Sequence, residues 1–301
     1  MGASVTHSPV PVIDVGLVRH MVDCQFPEWA ALPLRPVERG GWDNRSFRLG
    51  DEMVVRLPSA AGYAGQVQKE QRWLPYLASA LPVLIPRPVA LGKPMCGYPW
   101  QWSIYSWVAG EPAQCERIAD LSKFAADLAA VLVAMQSADS TGGPPPGAHS
   151  FHRGGSLAIY DSQVQRSIST LGGAIDVAGA MAAWDTALVS GFEGPPVWVH
   201  GDIAPGNLLT QDGSLVGVID FGQLAVGDPA CDLSIAWTFF SGRSQEIFLS
   251  RCGADEATRA RARGWALWKG LIVAAGLTKT NAVEWDEPLR VIESVLHEAR
   301  H

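Results

Sequence analysis

The sequence predicts an α+β fold in which an antiparallel sheet of five strands with one helix comes first and a mainly helical region follows. Two observations carry this prediction. Short apolar runs bounded by glycine or proline occur before residue 108, and hydrophobic spacing of three and four residues dominates after residue 110. The chain has 301 residues, of which 48% are hydrophobic and 18% charged, so it can bury a large core.

Five short runs predict the strands of the sheet: Leu34–Arg39, Arg45–Leu49, Met53–Leu57, Pro86–Leu91 and Trp102–Val108. Apolar spacing over Val12–Cys24 predicts a leading helix before them, and the spacing over Gln66–Ala80 predicts the helix that accompanies the sheet. Pro75 lies inside the second helix and is expected to kink or end it, because proline lacks the backbone N–H.

The remainder of the chain alternates helical patterns with loops. Leu121–Ser137 carries the clearest apolar stripe at helical spacing, and that stripe predicts packing against the core. Residues 141–147, which read TGGPPPG, predict a surface loop. Further helices are predicted over Ser156–Thr170, Ile175–Val189, Leu233–Phe240, Ala257–Ala275 and Val283–Ala299.

Polar side chains interrupt an otherwise apolar stretch near residue 200. Residues 197–199 predict a short buried strand that leads into a loop carrying Asp202. Two apolar runs within residues 208–221 are separated by an Asp-Gly pair, which is a hairpin signal because glycine tolerates positive φ. The hairpin would place Asn207 near its start and Asp220 near its end, close to the Asp202 loop.

These three side chains suit phosphoryl transfer. Mg²⁺ is held in proteins by one or two carboxylate or amide oxygens together with nucleotide phosphates, which fits Asn207 and Asp220. Asp202 could accept the proton of an attacking hydroxyl group. Catalysis of phosphoryl transfer consists mainly of positioning and charge neutralisation, so such a small set of side chains is sufficient.

The spacing His-Gly-Asp-x-x-x-x-Asn, followed by Ile-Asp-Phe-Gly and by Asp-Pro-x-x-Asp-Leu, resembles the aminoglycoside phosphotransferase family, which is related to protein kinases. The resemblance covers essentially the whole chain and implies a bilobal, protein-kinase-like fold. It implies Asp202 as the catalytic base, Asn207 and Asp220 as ligands of Mg²⁺, and His200 and Asp232 as supports of the catalytic loop.

One departure from the family pattern is Ala204, where many members carry histidine. We expect this difference to affect the acceptor side and to leave the core chemistry intact.

The resemblance also implies an N-terminal nucleotide-binding lobe over residues 1–105, a hinge over 106–110 and a C-terminal catalytic and acceptor-binding lobe over 111–301. Residues expected at the nucleotide are Gly40, Gly41, Arg56, Glu70, Ser106, Trp107 and Val108. Arg56 is the sole cation of an apolar run and would contact phosphates, steadied by Glu70. The glycine pair also fits an ordinary hairpin turn, and Glu70 also fits a solvated helix face.

The resemblance implies transfer of the γ-phosphoryl group of ATP or GTP to a small-molecule hydroxyl. An aminoglycoside-like, amine-bearing acceptor ranks first, and six acidic residues could line its pocket: Asp161, Asp176, Asp185, Glu284, Asp286 and Glu287. Choline, homoserine, related metabolites and macrolides are alternative acceptors. A catalytically silent nucleotide-binding scaffold is the non-enzyme alternative. A protein kinase is disfavoured, because little chain separates Asp220 from Asp228.

Charge and cysteine content exclude other classes. The net charge of −7 argues against a nucleic-acid partner, which requires a basic surface. The five cysteines are scattered without any metal-binding or paired spacing, which favours reduced thiols in a cytoplasmic protein. No signal peptide is visible, and the apolar runs are too short for a membrane span, so we expect no membrane partner.

Overall fold

The computed structural model describes residues 12–38, 43–278 and 288–298. The chain forms two compact units. The first comprises Met1–Ala78 and Ile85–Val108, and the second comprises Ser79–Leu84 and Ala109–His301. Each unit has its own strands and helices.

The first unit contains a five-stranded antiparallel sheet in the order β1-β2-β3-β5-β4. Its strands are β1 (Leu34–Pro36), β2 (Asn44–Leu49), β3 (Met53–Pro58), β4 (Pro88–Gly92) and β5 (Trp102–Ser106). The predicted five-stranded antiparallel sheet is confirmed. β4 begins with a proline and lies at the edge of the sheet, where a missing backbone donor does least harm.

Two helices belong to this unit, α1 (Val15–Gln25) and α2 (Ala61–Ala80). The leading helix α1 packs its buried Val18, Met21 and Val22 into one core with side chains of the sheet, including Trp102 and Ile104 of β5. The alternating residues of β5, Ser103 and Tyr105, form hydrogen bonds with side chains of α2 instead. Strand periodicity therefore gives the sheet one apolar face and one face with polar partners.

Proline does not end α2, contrary to one of the two outcomes expected. Pro75 lies inside the helix, which continues to Ala80. The buried Leu74 and Leu77 on either side of Pro75 anchor this part of the helix, and such tertiary burial outweighs one lost backbone hydrogen bond.

The second unit contains two small antiparallel sheets. β6 (Glu111–Pro112), β8 (Leu208–Gln211) and β9 (Ser214–Val218) form one of them in the order β6-β8-β9. β7 (Val197–Val199) and β10 (Ala225–Gly227) form the other. The buried strand and the hairpin predicted around residue 200 are both present.

Helices make up most of the second unit. They are α3 (Leu121–Ser137), α4 (Asp161–Leu171), α5 (Val177–Val189), α6 (Ala230–Leu233), α7 (Ile235–Thr238), α8 (Gly242–Arg251), α9 (Glu256–Ala274) and α10 (Pro288–Glu298). α9 is central and packs against α4, α5, α6 and α10. α3 has the predicted bounds, and residues 141–147 contain no helix or strand.

The predicted closing helices differ from the structure in two places, and a third prediction extends beyond the described residues. The single helix predicted over Leu233–Phe240 is interrupted, because α6 ends before Ser234, whose hydroxyl donates to the Cys231 carbonyl oxygen at 2.8 Å. α8 was not predicted, since its sequence is largely polar. The last predicted helix corresponds to α10, and its expected first residues, 283–287, lie outside the described residues.

Across the described ranges, none of the helices combines the length and the apolar character needed to span a bilayer.

Candidate active site

The hairpin of β8 and β9 positions two of the candidate site residues. Its turn residues Asp212 and Gly213 have φ values of 51° and 74°. Positive φ at both central positions matches the right-handed twist of a hairpin and explains the Asp-Gly pair. Asn207 immediately precedes β8, and Asp220 is the second residue after the end of β9. The Ile219 N–H donates to the Asn207 carbonyl oxygen at 2.9 Å, which holds both ends together.

The loop after β7 depends on Gly201. This glycine has φ +85°, and a Cβ atom there would lie 2.7 Å from the Gln223 carbonyl oxygen. Any side chain would therefore add both backbone strain and a clash. The Arg153 guanidinium supports the same residue, since its Nε donates to the Gly201 carbonyl oxygen at 3.0 Å.

Asp232 holds this loop through hydrogen bonds to its backbone. Its Oδ2 accepts a hydrogen bond from the His200 N–H and its Oδ1 from the Gly201 N–H, each at 2.7 Å. Asp232 is fully buried. Burial raises the pKa of its carboxyl group, against the two backbone hydrogen bonds and His200, which lower it. The resemblance implied that Asp232 supports the loop carrying Asp202 by hydrogen bonding, and these two hydrogen bonds connect it to that loop.

Asp202 and Asn207 are brought into direct contact. Asn207 Nδ2 donates to the Asp202 carbonyl oxygen at 2.9 Å and to its carboxylate Oδ2 at 3.2 Å. The Asn207 amide is thereby oriented with its nitrogen toward Asp202. Its carbonyl Oδ1 is the atom that remains for another ligand.

His200 links the loop to the hairpin. Its Nδ1 accepts a hydrogen bond from the Asp202 N–H at 3.2 Å, so the ring proton lies on Nε2, which donates to the Ile219 carbonyl oxygen at 3.0 Å. The ring also packs on Phe221 at 4.5 Å between centroids. Asp220 follows Ile219 and has the left-handed φ of 66°. Aspartate tolerates this conformation better than most residues, and such strain clusters at functional sites.

The donor chemistry at this site fits Mg²⁺. Asn207 contributes an amide oxygen and the half-buried Asp220 a carboxylate, which are hard ligands for a hard cation. Within the described ranges there is no cluster of three or more His, Cys, Asp or Glu able to hold a metal. An ion at this position would therefore take its remaining ligands from phosphate oxygens and water, as magnesium commonly does.

In the first unit, Arg56 of β3 and Glu70 of α2 form an ion pair with Nη1 and Oε1 at 3.1 Å. The Tyr105 hydroxyl donates to the other carboxylate oxygen of Glu70 at 2.5 Å. Burial raises the pKa of Tyr105, with Glu70 adding to the shift, so the hydroxyl keeps its proton. The predicted partners Arg56 and Glu70 are therefore in contact, and the solvated-Glu70 alternative is wrong because that side chain is only 4% exposed.

The predicted hinge residues are partly engaged by the protein itself. The Ser106 N–H donates to the Arg87 carbonyl oxygen at 2.8 Å, and the Trp107 N–H donates to the Glu52 carbonyl oxygen at 2.7 Å. Val108 is buried. Because the Ser106 and Trp107 N–H groups already have acceptors, backbone contacts of these residues with a nucleotide would have to use the Val108 N–H or the carbonyl groups. The predicted Gly40 and Gly41 lie outside the described residues.

A cavity of the second unit lies beside Asp202. Ala204 lines it, as do Arg153, Trp265 and Lys269. The prediction that acidic residues line this pocket is wrong for the three of them that the structure describes. Asp161 accepts from the Trp184 indole, Asp176 caps α5 and Asp185 is exposed, and none of these three lines the cavity. The other three predicted acidic residues lie within the undescribed segment 279–287.

Sequence reasoning missed several residues of both sites. Tyr105 could have been found, because it alternates with buried Trp102 and Ile104 along β5 and must face α2. Arg153 lies in a glycine-rich loop that carries no periodic signal. Arg261 forms a buried ion pair with Asp228, with Nε and Oδ2 at 2.7 Å, and only tertiary packing joins these residues.

Comparison with known proteins supports one family. Residues 34–265 match the model of the phosphotransferase enzyme family. An aminoglycoside 3'-phosphotransferase from Escherichia coli is 34% identical over 67 residues, which are 21% of this chain and 25% of that protein. The chain thus aligns with about a quarter of the length of this curated relative.

Two solved structures share the fold. One is a GDP and kanamycin complex of an aminoglycoside 2''-phosphotransferase, with a TM-score of 0.69, 20% identity, and coverage of 94% of this chain and 98% of that one. The other is the macrolide 2'-phosphotransferase of Brachybacterium faecium, with a TM-score of 0.59, 20% identity, and coverage of 94% and 96%. With the family match over most of its length, the chain belongs to the phosphotransferase enzyme family.

Proposed function

We propose that the protein transfers the γ-phosphoryl group of ATP or GTP to a hydroxyl group of a small molecule. The observation that carries the proposal is the loop held by Asp232, in which the Asp202 carboxylate lies 3.2 Å from Asn207 Nδ2. The Asp202 carboxylate, oriented by the Asn207 amide nitrogen, suits a general base. The amide oxygen of Asn207 remains for a metal ion beside that base.

In the proposed reaction the acceptor oxygen bonds to the γ-phosphorus while the bond to the bridging oxygen of the leaving diphosphate breaks. Asp202 orients the hydroxyl group and takes its proton. Asn207 and Asp220 hold Mg²⁺, which neutralises phosphate charge when it is bound. His200 and Asp232 keep the loop in position.

The first unit is the proposed nucleotide-binding lobe, corresponding to residues 1–105, with the hinge at 106–110. Arg56 would contact phosphate oxygens, because a guanidinium stays charged and binds oxyanions in a bidentate manner. Glu70 and Tyr105 would keep it in place. Gly40 and Gly41 are proposed to approach the phosphates through backbone N–H groups. Residues 111–301 would then supply catalysis and acceptor binding.

The relatives suggest the first acceptors to test. Kanamycin and a macrolide are associated with the two structural neighbours, so an aminoglycoside-like compound ranks first by similarity. Macrolides, choline and homoserine remain alternatives, since nucleotide-side motifs do not determine the acceptor. The scattered free cysteines support a cytoplasmic location.

The test is ADP release with Mg-ATP or Mg-GTP and a panel of aminoglycosides, a macrolide, choline and homoserine. Asp220→Ala should weaken Mg-nucleotide binding itself by at least about tenfold, since it removes a charged ligand from the ion. Asp212→Asn, which removes the charge of an exposed carboxylate at the hairpin turn and tolerates its positive φ, is the control. Unaltered Mg-nucleotide affinity in Asp220→Ala would remove Asp220 from the metal site. Tight nucleotide binding would favour a binding scaffold if no Asp202-dependent turnover accompanies it. Such turnover includes both phosphoryl transfer to an acceptor and hydrolysis of the nucleotide by water.

A further inference from the structure

The cavity beside Asp202 is the region in which an acceptor would meet the proposed catalytic base. Its wall includes Arg153, Trp265, Trp268 and Lys269, all from the second unit. The chemistry of these side chains bears on which acceptor fits, because a buried polar group imposes a requirement on its partner.

Arg153 is a buried cation without a counter-ion in the described chain. It is 8% exposed, and its guanidinium lies over the rings of Trp265 and Trp268 at 5.0 and 4.6 Å. Its Nε donates to the Gly201 carbonyl oxygen. Among the described residues, none accepts a hydrogen bond from its Nη1, and none forms an ion pair with it. An enclosed, charged donor of this kind is costly unless water or a ligand supplies an acceptor.

Trp265 presents a second enclosed donor in the same wall. Its indole Nε1 has no acceptor among the described residues. The neighbouring Trp268 differs, since its Nε1 donates to Gln163 Oε1 at 2.9 Å. Buried tryptophans elsewhere are also satisfied, as for Trp184 with Asp161 and Trp198 with the Asp139 carbonyl oxygen. Both unsatisfied donors therefore belong to residues that line this cavity.

The charge of the lining favours an anion. The described lining contains two cations, Arg153 and Lys269, and one carboxylate, Asp202. Cys231 also lines the cavity, and burial raises the pKa of its thiol, so the thiol stays neutral. An amine entering here would meet like charge and would bring donors to donors. A carboxylate or phosphate would supply the acceptors that both enclosed N–H groups lack.

We propose that this cavity binds the acceptor through an anionic oxygen group, a carboxylate or a phosphate, which accepts hydrogen bonds from Arg153 and Trp265. The inference rests on the proposed phosphotransferase function, and it specifies the acceptor as an acidic hydroxyl compound in place of the aminoglycoside-like compound that similarity alone ranks first. Arg153 is then a specificity-determining residue, and its hydrogen bond to Gly201 links acceptor binding to the catalytic loop. Asp202 remains available for the hydroxyl group.

The test uses small ions as probes, because they carry the charged group alone and do not require the rest of the acceptor to be known. The indole N–H resonance of Trp265 is followed by NMR in the Mg-ADP-loaded protein during titration with acetate, methyl phosphate or methylammonium. Trp265→Phe assigns the resonance. Acetate or methyl phosphate should shift it saturably, and the stronger of the two identifies the anion class. No shift with either anion, or an equal shift with methylammonium, would overturn the proposal.

Variants separate anion binding from support of the loop. Arg153→Gln should weaken binding of the preferred anion at least about tenfold, and Arg153→Lys should retain part of it. Arg166→Gln, an equal charge change on the exposed face of α4, should have no effect. If Arg153→Gln fails to fold, calorimetry with Trp265→Phe replaces it, because phenylalanine keeps the aromatic wall and loses the donor. Unchanged anion affinity in that variant would contradict the inference. Mg-nucleotide binding and turnover to water, measured in parallel, report separately on the proposed function.

Discussion

Two buried carboxylates, one in each unit, are satisfied in different ways. Glu70 in the first unit pairs with the Arg56 side chain and accepts from the Tyr105 hydroxyl. Asp232 in the second unit accepts from two backbone N–H groups of the loop that carries Asp202. Glu70 therefore orients a side chain, whereas Asp232 determines the path of the backbone.

The difference has a consequence for chemistry. A side chain held by an ion pair can still adjust to a ligand, which suits a cation that contacts phosphates of different nucleotides. A backbone loop held by two hydrogen bonds keeps its base in one place, which suits a group that must lie within hydrogen-bond reach of a reacting hydroxyl. We expect substitutions in the loop that Asp232 supports to lower kcat, and substitutions at the Arg56–Glu70 pair to change nucleotide affinity.

The largest expected effect is at the base that the Asp232-supported loop carries. Asp202→Asn should lower kcat at least about a hundredfold, because a general base contributes about 10² to 10⁴ in rate. Nucleotide affinity should stay nearly unchanged. The check is ADP release together with calorimetric Mg-nucleotide binding, with Asp212→Asn at the exposed turn as the control. A kcat within about threefold of that of the unsubstituted protein would remove Asp202 from the base role.

Asp232→Asn should lower kcat by about thirtyfold, equivalent to about 2 kcal/mol, since asparagine offers one acceptor oxygen to two N–H donors. The free energy of unfolding should change by less than about 1 kcal/mol, because the variant loses a hydrogen bond and also a buried charge. Urea unfolding alongside kcat tests this separation. Asp176→Asn is the control, since asparagine caps a helix as well as aspartate does. A stability loss large enough to explain the loss of kcat would contradict it.

The same group predicts opposite effects of acid on activity and stability. Burial raises the pKa of Asp232 in the folded state. Its contribution to stability is therefore greatest below the unfolded-state pKa and is lost as the pH rises through the folded pKa. Protonation would stabilise the fold through this group while weakening the loop, so the acid limb of kcat should lie above the ordinary aspartate range and should disappear in Asp232→Asn.

Lys69, adjacent to Glu70, provides a buried cation for comparison. Burial lowers its pKa from 10.5 to about 8. Lys69→Met should stabilise the protein at pH 7 by about 2 kcal/mol, because methionine removes the buried charge while keeping most of the side-chain volume. Since the folded pKa is depressed, the cost to the unsubstituted protein should shrink as the pH rises from about 8 to 10.5. Unfolding of both proteins over this range is the measurement, and a pH-independent difference would contradict the assignment.

The smallest effect is expected at the ion pair of the first unit. Arg56→Met should raise KM for Mg-ATP about tenfold with little change in kcat, because the arginine contributes similarly to ground-state and transition-state binding. Arg45→Met on the neighbouring strand removes an exposed arginine and serves as the control. A fall in kcat without a change in KM would show that Arg56 acts on the chemical step, as the loop held by Asp232 is expected to do. The expected difference between the Arg56–Glu70 pair and that loop would then be wrong.

Much of the catalytic segment was predictable from local pattern. The Asp-Gly turn, the two short apolar runs and the position of Asn207 and Asp220 at their ends depend on interactions among near neighbours. α3 was predicted with its observed bounds because Asp120 caps it and its apolar stripe is regular. α8 was missed, and the helix over 233–240 was predicted as continuous, because tertiary contacts and side-chain hydrogen bonds rather than periodicity determine them.

The sequence by itself determined the five strands of the first unit, the hairpin after Asn207, the spacing of Asp202, Asn207 and Asp220, and the resemblance to one family, because each follows from local periodicity or from fixed offsets along the chain. Only the tertiary structure decided that Tyr105 meets Glu70, that Arg261 pairs with Asp228, and that Arg153 lies enclosed beside Trp265. These pairs join residues far apart in sequence. Whether a charge is buried, and what partner it lacks, depends on packing that no local pattern encodes.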